Sequence, residues 1–151
     1  MPFIEINTFI DAPIDKCFDL ARSIDLHLDS MAKTKEKAIA GRTSGLIEMG
    51  ETVTWRAKHF GVWQTLTSKI TAFSFPHSFT DEMVSGVFKS FKHQHLFSPN
   101  NGGTLMVDIF AFESPFGILG KLANVLFLNN YMSKLLKSRN KLIKEIAEQS
   151  I

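Results

Sequence analysis

The chain has little of the residues that would tie it to an oxidising compartment or to a membrane. A single cysteine, Cys17, excludes an intramolecular disulfide and a cysteine-cluster metal site, and it favours a reduced, cytoplasmic setting. No basic segment precedes an apolar run at the amino terminus, so no signal peptide is expected. The longest uninterrupted apolar run, residues 125–128, is far shorter than the ~20 residues that span a bilayer, so no transmembrane segment is expected.

The chain also has almost no excess of charge of one sign, and it has little tyrosine. The net charge is +2 and no groove-reading motif is present, so no nucleic-acid partner is expected. Fourteen phenylalanines stand against one tyrosine, and phenylalanine fills a core or an apolar cavity without needing a hydrogen-bond partner. With 151 residues, 44% of them hydrophobic, the chain is expected to form a single domain over residues 1–151. Its oligomeric state is left open.

The most informative pattern lies in residues 79–97, which alternate with the period of two that strands show. They predict a hairpin with Ser85-Gly86 at its turn, and one face of it combines bulky apolar groups with an acid and two imidazoles. Burying such titratable groups without partners is costly, so this mixture predicts the wall of a ligand cavity. The face consists of Phe79, Asp81 and Met83 on the first strand and Phe91, His93, His95 and Phe97 on the second.

The rest of the chain predicts a mixed architecture. A strand at residues 2–11, with apolar groups on both faces and expected to be partly covered on both, precedes a helix that starts at Pro13. Residues 23–34 predict a second short helix and a loop. His27, on the second helix, is expected at the surface. Further strands are predicted at residues 37–40, 52–60, 62–73 and 104–113, and one long helix at 116–149. Which face of residues 104–113 points inward is left open, since both faces are largely apolar.

Strands joined by short turns are antiparallel neighbours, and their apolar face must be covered. The prediction is therefore an α+β helix-grip fold: a curved seven-stranded antiparallel sheet wrapped around the long C-terminal helix, with two short helices after strand 1. A sheet that grips a helix in this way leaves a space between them, into which the mixed hairpin face would point.

Several short motifs, in this order and spacing, resemble those of a known superfamily over essentially the whole chain. They are WRAKHFG at 55–61, FTD at 79–81, GVF at 86–88, FKHQHLF at 91–97, TLMVD at 104–108, SPFG at 114–117 and the helix residue Arg139. The chain resembles the START-like (SRPBCC) helix-grip superfamily, in particular its bacterial ligand-binding and polyketide cyclase/dehydrase branches, where Phe91 is often tryptophan. The resemblance implies the fold and a hydrophobic cavity but no reaction, since the superfamily includes lipid carriers, hormone receptors and enzymes.

Two chemical hypotheses arise from the titratable residues. His93 and His95 with Asp81 or Asp108, with or without His59, could bind zinc or iron. Alternatively, an imidazole beside one of these acids could move a proton in a cyclisation or dehydration. Against both, the histidines could simply be hydrogen-bonded to Asp81 and Asp108 inside a polar patch, which satisfies buried polar groups.

The favoured hypothesis is non-catalytic binding of a small hydrophobic molecule, such as a lipid, an isoprenoid or an aromatic compound, without cofactor or metal. In that case Arg139 either meets an acidic group of the ligand or pairs with a cavity carboxylate. Besides the polar residues His59, Asp81, His93, His95, Asp108 and Arg139, the predicted ligand-binding residues are Trp55, Phe79, Met83, Phe91, Phe97, Met106 and Phe110.

Overall fold

The computed structural model describes residues 3–86, 88–113 and 118–149, and only the backbone within 118–126. Val87 and the SPFG motif at 114–117, with the predicted helix start, therefore lie outside the described residues. The elements in chain order are β1 (Phe3–Ile10), α1 (Ile14–Ala21), α2 (Ile24–Ser30), a 3-10 turn (Ala32–Thr34), β2 (Lys37–Gly41), β3 (Thr52–His59), β4 (Val62–Ser74), β5 (Ser78–Ser85), β6 (Ser90–Asn100), β7 (Gly103–Glu113) and α3 (Ile118–Ala147).

The strands form one antiparallel sheet in the order β1-β7-β6-β5-β4-β3-β2. Strands β2 to β7 follow one another as neighbours, and β1 closes the series against β7. The helix-grip prediction is confirmed: a curved seven-stranded antiparallel sheet, two short helices after β1, and a long C-terminal helix. None of the described helices combines the length and the apolar composition that crossing a membrane requires.

Local sequence explains where the short helices begin. Pro13 occupies the position before α1 in an extended conformation, and Asp15 lies in the first helical turn, where a negative charge is favourable. Ser23 caps α2, because its hydroxyl accepts a hydrogen bond from the backbone amide of Leu26 at 3.1 Å. The second helix therefore starts almost directly after the first one ends, and together they close one end of the sheet.

Phe18 of α1 occupies the centre of the main hydrophobic core. Its buried ring makes edge-to-face contacts with Phe73, Phe75 and Phe79, at centroid distances of 5.0–5.4 Å, and a tilted contact with Phe97 at 5.2 Å. Cys17 is fully buried in the same cluster, as expected of a small hydrophobic side chain. A second cluster combines four phenylalanines, on β6, β7 and the segment before β6, with two isoleucines of β1 and Leu136 of α3.

Strands β1 and β7 have apolar residues on both faces, and the structure shows which face of each points inward. The even residues of β7, including Met106, Asp108 and Phe110, are buried, so this face points inward. In β1 the predicted partial cover of both faces is wrong, because the face that carries Phe3 and Phe9 is exposed. The reason is position: β1 is an edge strand, and α3 covers only its inner face.

Candidate functional site

A cavity of about 550 Å3 lies between the concave face of the sheet and α3. The segment around α2, strands β3 to β7 and α3 all contribute to its wall. Most of that wall is apolar, and its side chains include Ile24, Val53, Trp55, Ala57, Ile70, Phe79, Phe91, Phe110, Met132 and Leu136.

Strand register brings four polar side chains together on one side of this cavity. Asp81 on β5 is paired with His93 on β6, and His95 is paired with Asp108 on β7. Because residues two apart share a face, all four point inward from three adjacent strands. Arg139 and Asn140 approach them from α3. These six residues, Asp81, His93, His95, Asp108, Arg139 and Asn140, form what we call the polar cluster.

Asp108 is the fully buried centre of the polar cluster. Its Oδ1 accepts hydrogen bonds from His93 Nε2 at 2.8 Å and from Arg139 Nη1 at 3.1 Å, and its Oδ2 accepts one from Asn140 Nδ2 at 2.7 Å. Burial alone would raise the pKa of this carboxyl, but the Arg139 charge and the hydrogen bond from His93 hold it well below its usual value. Asp108 is therefore ionised and balanced by Arg139.

His93 is neutral at neutral pH. Burial and the adjacent imidazole of His95 lower the pKa of His93 to about 4, although its hydrogen bond to Asp108 opposes this. Since the Asp108 carboxylate can only accept, the single proton of the His93 ring is on Nε2. Its Nδ1 is then an unprotonated acceptor, on a residue that lines the cavity.

His95 is held in one tautomer by two opposite partners. Its Nε2 donates to Asp81 Oδ2 at 2.9 Å, and its Nδ1 accepts from Arg139 Nη2 at 3.3 Å, since a guanidinium can only donate. The ring is stacked between Phe79, at a centroid distance of 4.0 Å, and His93, at 3.8 Å. Packing and hydrogen bonds thus fix its orientation.

Asp81 is the carboxylate of the polar cluster that reaches the cavity. Its side chain is 19% exposed, whereas that of Asp108 is fully buried. Burial would raise the pKa of Asp81, but the hydrogen bond from His95 and the charge of Arg139 outweigh it, and the pKa is lowered. Asp81 therefore presents an ionised carboxylate to whatever enters the cavity.

His59 is in the cavity wall but apart from the polar cluster. Its Nδ1 shares a hydrogen bond of 2.6 Å with the hydroxyl of Tyr131 on α3. Burial lowers the pKa of His59 and raises that of Tyr131, so both are neutral at neutral pH. Nearby, the exposed rings of Phe60 and Phe127 meet with centroids 5.1 Å apart, and we call Phe60, Phe127 and Tyr131 the aromatic mouth.

His27 is not the surface residue that the sequence predicts. It lines the cavity, its Nε2 is 2.7 Å from Glu36 Oε1, and its ring lies 4.3 Å from that of Trp55. The sequence prediction failed because Glu36 and Trp55 are distant in sequence and meet α2 only through the fold.

The predicted ligand-binding residues divide into those that line the cavity and those that do not. Nine line the cavity: Trp55, His59, Phe79, Asp81, Phe91, His93, His95, Phe110 and Arg139. Asp108 lies behind the wall, bonded to His93. Phe97 and Met106 pack in the main core, since their ends of β6 and β7 approach Phe18, and Met83 packs beside the second cluster. These last three were wrongly predicted to line the cavity.

Sequence reasoning missed two residues of α3. Asn140, a member of the polar cluster, is spaced four residues from Leu136 and three from Ile143, both buried, so its place on the inner stripe of α3 was readable. Tyr131, the single tyrosine, lies three residues after Leu128 and four before Leu135, which both line the cavity, so its place was readable in the same way.

The polar cluster has the composition of a metal site but is already internally bonded. One ligand atom from each of Asp81, His93 and His95 lies within 4.8 Å of the others. His59 is not in this group. A cation would have to replace the hydrogen bond between His95 and Asp81, and it would lie near the Arg139 guanidinium, whose charge opposes it.

No protein-family model and no curated protein matches the chain by sequence. Solved structures do match its fold. TTHA0849 from Thermus thermophilus has a TM-score of 0.74 at 17% identity, with 97% of this chain and 100% of that one covered. Major latex-like protein 151 from Panax ginseng has a TM-score of 0.69 at 15% identity, with 98% of each chain covered.

The di-domain ARO/CYC StfQ from the steffimycin biosynthetic pathway has a TM-score of 0.77 at 13% identity, with 97% of this chain and 50% of that one covered. At these identities the likeness concerns the fold. Together with the sheet order and the gripped C-terminal helix, it shows that the chain has the helix-grip fold.

Proposed function

We propose that this protein, as a single domain, binds a small and mainly hydrophobic molecule between the sheet and α3, and that it acts as a cytoplasmic carrier or sensor. The observation that carries the proposal is the cavity of about 550 Å3 with an apolar wall and one polar cluster. Small-molecule sites typically have ~300–1,000 Å3 and a few polar groups that orient the ligand. We expect no nucleic-acid partner.

Binding is favoured over catalysis because the groups that reach the cavity are weak bases. General-base catalysis is most effective when the pKa lies near the working pH, whereas the pKa values of His93 and Asp81 are both lowered. The ring nitrogens of His95 are both engaged, one by Asp81 and one by Arg139. Such a cluster is suited to orienting a ligand.

The test compares two identical substitutions at different places on the sheet. Ala57 on β3 is buried and lines the cavity, whereas Ala72 on β4 is exposed. Ala57→Phe should weaken binding of 1-anilinonaphthalene-8-sulfonate, a fluorescent hydrophobic probe, at least fivefold, while Ala72→Phe should leave it unchanged. Native mass spectrometry of protein taken directly from cells should also show a retained small molecule. Equal probe binding by both variants and a bare chain mass would refute the proposal.

A cyclase or dehydratase is the second candidate, because a carboxylate and an imidazole both reach the cavity wall and the ARO/CYC StfQ shares the fold. Its chemistry would begin with removal of a proton from a carbon next to a carbonyl. Benzoylacetone in D2O provides a direct probe, since NMR reports loss of its α-proton. Wild-type protein should accelerate the exchange and His93→Gln should not. Equal rates with wild-type protein, with His93→Gln and without protein would exclude this candidate.

A further inference from the structure

The polar cluster offers a ligand hydrogen-bond acceptors, while its donors are engaged inside the protein. Arg139 Nη1 donates to Asp108 and to Asn140 Oδ1, and its Nη2 donates to the Ala21 carbonyl and to His95 Nδ1. Each terminal nitrogen carries two hydrogens, so all four have acceptors. The terminal N–H groups of Arg139, the obvious partners for an acidic ligand, are thus committed to the protein.

The other N–H groups of the cluster are also used. The single ring protons of His93 and His95 are donated to Asp108 and Asp81. The Asn140 amide donates to Thr8 Oγ1 at 3.3 Å and to Asp108 Oδ2. The acceptors left for a ligand are therefore on the Asp81 carboxylate and on the unprotonated His93 Nδ1, and both residues line the cavity.

Ser68 is a further polar side chain of the wall, and its hydroxyl can donate or accept. The cluster itself carries two ionised carboxylates against one guanidinium. A ligand carboxylate would meet the Asp81 charge in a largely apolar surrounding, where repulsion is poorly screened.

We propose that the ligand is a neutral hydrophobic molecule with a hydroxyl group, a phenol or an alcohol, whose O–H is donated to the Asp81 carboxylate. This inference rests on the proposed function, and it names the ligand class for the same cavity. Asp81 lines the cavity beside the two imidazoles, with one ligand atom each of Asp81, His93 and His95 within 4.8 Å of the others.

An ammonium group would also pair with Asp81, but the surroundings disfavour a second cation. Arg139 lies 3.3 Å from the ring of His95. The same burial and neighbours keep the His93 ring uncharged, which is why its pKa is low. A neutral donor avoids the desolvation of a charge and still donates a hydrogen bond to the Asp81 carboxylate.

Four pyrene derivatives of similar size test the inference by fluorescence titration at pH 7.5. They are 1-hydroxypyrene, 1-methoxypyrene, 1-pyrenecarboxylate and 1-pyrenemethylamine. The hydroxyl compound should bind at least tenfold more tightly than each of the others. Preferential binding of the carboxylate, the ether or the amine would overturn the inference while leaving the proposed function intact. Absence of binding by all four would overturn both.

Asp81→Asn separates the charge from the shape of the cavity. The amide oxygen can still accept from His95, so the fold should be kept, which circular dichroism checks. In this variant 1-pyrenecarboxylate should bind at least tenfold more tightly than to wild type, and the preference for 1-hydroxypyrene should shrink. The control is Thr80→Ala, at a residue on the same strand whose side chain points away from the cavity. It should preserve the wild-type order of affinities for the four compounds. If Asp81→Asn does not fold, the order of the four compounds on wild type alone decides.

Discussion

Arg139 of α3 donates to Asp108 of β7 across a nitrogen-to-oxygen distance of 3.1 Å, and both side chains are almost fully buried. The pair connects the gripped helix to the sheet through charge rather than through apolar packing alone. Asp108 also orients His93, so the contact links the stability of the fold to the geometry of the cavity wall.

Arg139→Met should lower the free energy of unfolding by about 3–5 kcal/mol, because it leaves the Asp108 charge buried without its counter-ion. Urea denaturation measures the effect. Lys141→Met is the matched control, since Lys141 is exposed on the same helix, and it should change stability by less than about 0.5 kcal/mol.

A double-mutant cycle tests whether the two charges act as a pair. Asp108→Leu alone removes the acceptor of several donors and should also be strongly destabilising. Combined with Arg139→Met, it should cost less than the sum of the single changes, since neither charge is then left alone. Simple additivity would contradict the assigned coupling.

His93 makes stability depend on pH. Its folded-state pKa of about 4 lies below the value of 6.5 for an exposed imidazole, so between these values the unfolded chain holds a proton that the folded chain does not. Stability must therefore fall as the pH falls through this window, by about 2 kcal/mol between pH 7 and pH 5. The lowered pKa values of Asp81 and Asp108 act in the same direction only at more acidic pH.

His93→Gln isolates this contribution, because its amide can still donate to Asp108 but does not titrate. Urea denaturation at pH 7 and pH 5 should show a decline smaller by about 2 kcal/mol than in wild type. A small decline should persist, since burial also lowers the pKa of His59. An equal decline in the two proteins would contradict the neutral state assigned to His93.

The order of elements was predictable because the spacing of apolar residues identifies each strand and helix from its own sequence. The inward faces of β5 and β6 were also predictable, since only one face of each carries the bulky groups. In β1 and β7 both faces are apolar, so the period alone could not say which one α3 covers. The position of a strand in the sheet decides which of its faces α3 covers, and the sequence of the strand does not contain that position.

The members of the polar cluster that lie on the sheet were predictable, but the hydrogen bonds between them were not. That Asp81 meets His95 while His93 meets Asp108 depends on strand register and on side-chain direction. The role of Arg139 depends on where a helix crosses the sheet, 31 residues after Asp108. Sequence reasoning therefore left two roles for Arg139, and the geometry favours pairing with a carboxylate of the protein.

The aromatic mouth gives a kinetic prediction. Phe60 packs against Phe127 and Tyr131, with centroids 5.1 and 4.6 Å away, beside the cavity. Phe60→Ala should accelerate release of bound 1-hydroxypyrene several-fold in stopped-flow experiments, because the ring no longer narrows the exit. Leu96→Ala, an exposed change on the outer face of β6, should leave the release rate as in wild type.

The backbone conformation of Phe60 is one that asparagine adopts more readily than phenylalanine. With Gly61 it forms the two-residue turn between β3 and β4, and both φ angles are positive, at 53° and 77°. Such turns favour asparagine before glycine. Phe60→Asn should therefore be more stable than Phe60→Ala by about 1 kcal/mol in urea denaturation, since both lose the ring and differ in backbone preference. Equal stability would contradict the assigned turn conformation.

Gly41, the last residue of β2, and Gly45, in the loop that follows, allow steric crowding to be separated from backbone strain. Gly41 and Gly45 have nearly equal φ angles, 73° and 76°, so alanine is strained at both. A methyl group at Gly41 would also overlap the carbonyl oxygen of Thr52, which accepts a hydrogen bond from the Arg42 amide at 2.7 Å, whereas at Gly45 it would meet nothing. Gly45→Ala should cost about 1 kcal/mol of unfolding free energy. Gly41→Ala should cost at least about 2 kcal/mol more, because it must also move the β3 backbone. Equal losses in urea denaturation would mean that this end of β2 separates from β3 at little cost.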